Sequence, residues 1–164
     1  MLTSKQHAAE LRAQAYPDCI ECTTRLTGPE VYTVTRYRDL ALLAWDVDLA
    51  TEICQDGRQP VEIPTYALDC ILQVNATTAA HLDHVSLDFP GIACAVDFTP
   101  EGEPIRGLID GSHRAARSRR DGKRFFAYLL TDEESLRCQN TPEARTCAYL
   151  EAILRSQGVA FQSD

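Results

Sequence analysis

The stretch from Gly107 to Arg117, Gly-Leu-Ile-Asp-Gly-Ser-His-Arg-Ala-Ala-Arg, constrains this chain more than any other. It begins apolar, as a buried strand does, and turns at Asp110-Gly111. It then enters an alanine- and arginine-rich helix with Ser112 at or near the N-cap. Strand, glycine turn and helix N-terminus together make an anion site, because the first helical turn leaves four N–H groups unpaired. His113 and Arg114 stand where their side chains could close on a phosphate. The structural alternative is a well-capped helix with a solvated basic side.

The 164 residues suffice for one domain with a core of its own. The N-terminus shows no secretory pattern and no apolar run reaches the roughly 20 residues of a membrane span, so the expectation is a cytoplasmic protein without membrane contact. The charge is unevenly spread. Asp39 to Glu103 holds 12 acidic residues and one basic residue, Arg58, whereas Arg106 to Arg124 holds seven basic and two acidic ones. A local positive patch on a chain of net charge -8 suits a small anion better than a long nucleic acid, which the acidic remainder repels.

Seven cysteines without a secretion signal read as reduced thiols. Cys19 and Cys22 form a C-x-x-C. A zinc site wants a second ligand pair, and the chain has no other C-x-x-C and no H-x-x-x-H. His81 and His84 lie three apart on one helical side. A metal there would need a third ligand, from Asp83 or Asp88, and surface histidines are the expectation.

Taken in order, Ser4 caps a helix over about 5–15 that Pro17 stops. Residues 17–30 read as irregular and Val31–Thr35 as a strand. Leu40, Leu43, Ala44 and Val47 carry a helical period, followed by a short helix capped by Asp48. Pro60–Pro64 reads as an edge strand with Val61 and Ile63 inward. Residues 67–74 are open between helix and strand. Ile92–Phe98 and Ile105–Ile109 form a hairpin, and Phe125–Leu130 a buried strand. Thr131 to Glu134 has capping-box spacing, and a last helix runs from Thr141 to about Ser156.

Leu108-Ile109-Asp110-Gly111-Ser112-His113-Arg114-Ala115-Ala116, then Asp121-Gly122-Lys123 and the strand Phe125–Leu130, resembles the ParB/sulfiredoxin superfamily. Val61–Pro64 resembles that family's opening strand, and Asp88-Phe89-Pro90-Gly91 its entry to the hairpin. The likeness covers about residues 60–130, with an N-terminal extension over 1–58 and C-terminal helices over 132–157. It implies a single α+β domain, 1–164, with a small mixed sheet and helices packed around it.

The resemblance also implies nucleotide binding. Gly111, Ser112, His113, Arg114 and Arg117 would hold the phosphates of ATP or another nucleotide, and Asp110 would hold Mg²⁺ or fix the loop. Sulfiredoxins carry a catalytic cysteine where this chain has Ser112, which argues against their chemistry. Chromosome-partitioning ParB proteins add a helix-turn-helix domain for which 132–164 is short and acidic. The branch that resembles free-serine kinases leaves a phosphotransferase acting on a small hydroxyl-bearing molecule. Its catalytic residues would come from Asp110, His113, Glu62 and Asp88, with Asp69 as a further candidate base. The alternatives are a regulatory protein that binds a protein partner or a second copy, and a nucleic-acid-binding or nuclease-like protein using the basic run 114–124.

Overall fold

The computed structural model describes residues 2–24, 31–36, 41–98, 102 and 104–139. Their order is α1 (Leu2–Ala15), α2 (Ile20–Thr24), β1 (Val31–Arg36), β2 (Ala41–Asp46), α3 (Val47–Ile53), β3 (Val61–Glu62), α4 (Thr65–Val74) and a 3₁₀ segment (Ala79–His84). There follow β4 (Gly91–Phe98), β5 (Pro104–Asp110), α5 (Ser112–Arg120), β6 (Phe126–Leu129) and α6 (Asp132–Gln139). The expected helix from Thr141, and Cys147 within it, lie outside the described residues.

Alternation along the strands decides what packs where, since successive side chains point to opposite faces. Four strands make a mixed sheet in the order β3-β6-β4-β5. β4 pairs antiparallel with β5 and parallel with β6, and β3 runs antiparallel on β6. Ile92 and Cys94 of β4, with Ile109 of β5, pack on Trp45, Ala50, Cys54, Leu130 and Cys138, so β2, α3 and α6 cover one face. Ala93, Leu108 and Ala127 point the other way and meet Leu68 of α4 and Ala115 of α5. A mixed α/β arrangement around a small sheet follows.

Several expectations are corrected. The helical period read over Leu40–Val47 belongs at Ala41–Asp46 to a strand, hairpinned on β1 with Trp45 opposite Tyr32. The helix begins later, and Asp46 rather than Asp48 caps it, accepting from the Leu49 N–H at 2.9 Å. Tertiary pairing overrides a short periodic signal here. Residues 20–24, expected irregular, form α2, and α4 settles the ambiguity over 67–74 as helix. Val61, read as inward, stands exposed on a two-residue edge strand. The 92–109 hairpin, the strand at 126–129 and the helix after Gly111 stand where the sequence puts them.

The capping box also forms. Thr131 Oγ1 accepts from the Glu134 N–H at 3.2 Å, and Glu134 accepts from the Thr131 N–H at 2.8 Å. The same carboxylate takes two bonds from Arg58, at 2.5 and 2.9 Å, which pins the chain between α3 and β3 onto α6. The Arg58 guanidinium holds the Glu134 carboxyl down to about 2, against an ordinary value of 4.5. A depressed carboxylate contributes stability above its unfolded pKa and loses it as pH falls through the folded one. Glu134→Gln is therefore expected to cost about 1–2 kcal/mol at pH 7. It should also flatten the loss of stability between pH 4.5 and about 2 in thermal melts; an acid limb identical to that of the parent would contradict this role.

Candidate metal centre

Pro17 cannot continue α1, and the chain turns there, with the Cys19 N–H donating to the Tyr16 carbonyl at 3.1 Å. Cys19 thus precedes α2, and Cys22 lies one turn on, so both sulfurs face one side. His81 and His84 stand on the 3₁₀ segment. Side chains at i and i+3 eclipse in a 3₁₀ helix, so the two imidazoles project together. The two pairs meet: one donor atom from each of Cys19, Cys22, His81 and His84 lies within 4.8 Å of every other.

The individual separations are informative. Cys19 Sγ and Cys22 Sγ lie 3.4 and 3.5 Å from His81 Nδ1, and Cys22 Sγ lies 3.6 Å from His84 Nδ1. A tetrahedral zinc ion with Zn–S of about 2.3 Å and Zn–N of about 2.0–2.1 Å sets its donors roughly 3.3–3.8 Å apart. Both histidines turn the same ring nitrogen toward the sulfurs. Cys22 and His81 are 2% and 1% exposed, so the centre is closed on its inner side.

Neighbours hold each ring. Tyr16 stacks on His84 with centroids 3.7 Å apart, and His113 meets His81 edge-on at 4.8 Å. The Glu21 carboxyl is lowered, first by a hydrogen bond from Thr78. Burial, together with the neighbouring Cys19, pushes the Cys22 thiol up to about 11. In the metal-free chain it stays protonated at neutral pH, and a cation must displace that proton.

The expectation of surface histidines is corrected: His81 is in the interior and is the hub of the cluster. Each pair, C-x-x-C and H-x-x-H, is by itself half of a four-ligand set. Cys22 and His81 are 59 positions apart, far beyond the spacing of a local zinc motif. The recoverable signal was two pairs at one-turn spacing, with the third ligand for each pair supplied by the other. Asp83 and Asp88 do not join the cluster.

The residues read as a phosphate and catalytic site have other neighbours. Gly111 takes φ +97°, where a Cβ would sit 2.9 Å from the Gly91 Cα, and it rather than Ser112 occupies the cap position. Ser112 Oγ accepts from Asn75 at 2.7 Å, and His113 Nε2 from the Thr78 N–H at 3.1 Å. Arg114 is buried against Asp110, Nη2 to Oδ2 3.0 Å, and also donates to the Pro90 carbonyl. Glu62 of β3 pairs with Arg124, Asp88 accepts from Ser86, and Asp69 of α4 pairs with Arg119 of α5. The structure therefore does not bring Glu62, Asp88 and Asp110 to one another as a carboxylate cluster.

The basic run is paired too. Arg117 faces Asp121, and Arg120 faces Asp83 and Asp121. The acidic middle of the chain and the arginines after it largely neutralise each other across α5. Arg119, Arg120 and Arg124 stay at the surface as members of these ion pairs, their side chains 48%, 43% and 69% exposed.

With two thiols as ligands, zinc binding is expected to release about two protons and to strengthen from pH 5.5 to pH 7.5. Calorimetric titrations in buffers of different ionisation enthalpy read the proton count; release of none would exclude thiolate ligation.

No protein-family model, no curated protein and no solved structure matches this chain.

Proposed function

We propose that this chain is a zinc-class metal-binding protein in which Cys19, Cys22, His81 and His84 hold one ion in a closed four-ligand site. The observation that carries this reading is the set of S···N separations of 3.4–3.6 Å, which fit the edges of a tetrahedral shell. Four protein donors fill that shell, so the role is structural: a catalytic zinc keeps one position open. Soft thiolates with imidazoles favour zinc over magnesium or calcium.

The N-terminal helices supply the reason for such a site. Among their described side chains, the apolar residues they bury are Ala13 and Cys22, while Leu11 and Ile20 are exposed. That burial is too small to hold α1 and α2 on the core. Metal ligation joins them to the 3₁₀ segment and, through it, to α5.

The purified chain is expected to carry about one zinc per molecule, and His81→Ala or Cys22→Ser to abolish it. A chelator should expose the 16–24 region to limited proteolysis, and added zinc should restore protection. Equal cleavage with and without metal would overturn the structural role.

A second reading, nucleotide or phosphate binding at the Gly111 turn, has one observation in its favour. The N-terminus of α5 starts at a left-handed glycine with no side-chain cap. Mg²⁺-dependent or Mg²⁺-independent heats with ATP, ADP, CTP or GTP would support it, including the phosphotransferase form; silent titrations with all four would dismiss it.

A further inference from the structure

We propose that α5 is the outer frame of the metal centre, and that His113 and Arg117 are positioning residues for the two histidine donors. The inference rests on the metal-centre reading and extends it to residues that do not touch the ion.

His113, Arg117 and Arg120 share one face of α5, at i, i+4 and i+7. All three reach the 3₁₀ segment that carries His81 and His84. His113 Nε2 accepts from the N–H of Thr78, the residue that starts the segment, and the His113 ring edge packs on His81. Arg117 Nη1 donates to the carbonyls of Asp83 and Val85, the latter the residue that ends it. Arg120 adds an ion pair to the Asp83 side chain at 2.6 Å. The segment is thereby gripped at both ends by one helix.

The segment is six residues of 3₁₀ helix, a form whose hydrogen-bond geometry is poorer than that of an α-helix, so neighbouring contacts weigh heavily in its orientation. Its N-cap position, Thr78, makes no side-chain cap bond. The rotation of the turn, and with it the direction of both Nδ1 atoms, is set by what clamps its ends. Outer partners that hydrogen-bond a metal-bound imidazole typically account for about 10–100-fold in metal affinity, and a clamp on the turn's backbone acts on the same ring orientation one step further out. Arg119, one residue from Arg120 but pointing to Asp69 on α4, is outside the clamp and serves as the control.

The test is zinc affinity of the full chain, by competition with a chromophoric chelator, with the cobalt(II) visible spectrum as a report on geometry. His113→Ala and Arg117→Ala are each expected to lose about 10–100-fold in affinity and to shift the cobalt bands. Arg119→Ala should match the parent. His113→Gln keeps an acceptor for the Thr78 N–H, and Arg117→Lys keeps a donor for the Val85 carbonyl; both should recover most of the loss. Parent-like affinity and spectrum in both alanine variants would overturn the proposal while leaving the four-ligand site intact. An equal loss in Arg119→Ala would reduce the effect to general destabilisation and overturn it as well. Absence of zinc binding by the parent would instead overturn the metal centre itself, and this inference with it.

Discussion

Two sulfurs and two imidazole nitrogens converge on one point between the N-terminal helices and the 3₁₀ segment, and the proposed centre ties residues 2–24 to the core through it. Among the described residues, the sheet and the helices that cover it are held chiefly by apolar packing. The sheet is sandwiched because β4, β5 and β6 alternate, sending Cys94 and Ile109 to one side and Leu108 and Ala127 to the other. Among their described side chains, the N-terminal helices bury only Ala13 and Cys22 as apolar residues. Their described ties run to the 3₁₀ segment: Cys19 and Cys22 to His81 and His84, and the Tyr16 ring on His84. An ion held there would join residues some 60 positions apart, and in the chain-entropy view a cross-link of that span restricts the unfolded chain strongly.

The second organising element is α5. It follows a glycine that must take a left-handed conformation against Gly91, and it buries Arg114 on Asp110 beneath its first turn. An ion pair this deep is weak evidence for stability, but removing one partner would strand the other charge. The same helix presents its arginines to the acidic residues that precede it in the chain. Arg117 and Arg120 hold the ligand-bearing turn, and Arg119 ties down α4 through Asp69. What reads in sequence as a basic strip is, in the fold, a set of internal couplings.

Local physics made much of the core legible. The turn at Asp110-Gly111, the helix behind it, the 92–109 hairpin and the Thr131–Glu134 capping box all depend on neighbours within a few residues, and each appears in place. The failures share a cause. The Leu40–Val47 stretch has a helical period, yet pairing with β1 makes it a strand, and a partner strand is not written into the window. The metal centre failed for the same reason: each half is a two-ligand fragment, and only the fold closes the distance between Cys22 and His81. The resemblance to the ParB/sulfiredoxin superfamily spans about residues 60–130 and centres on Leu108–Ala116. There the structure shows a glycine-capped helix whose basic side chains have protein partners, so nucleotide binding stands as the second reading.

X-ray absorption at the zinc edge of the purified full-length chain tests the central claim most directly. The expected first shell is two sulfurs at about 2.3 Å and two imidazole nitrogens at about 2.0–2.1 Å. A shell of oxygen and nitrogen alone, or a chain that purifies and stays folded without taking up zinc, would contradict it.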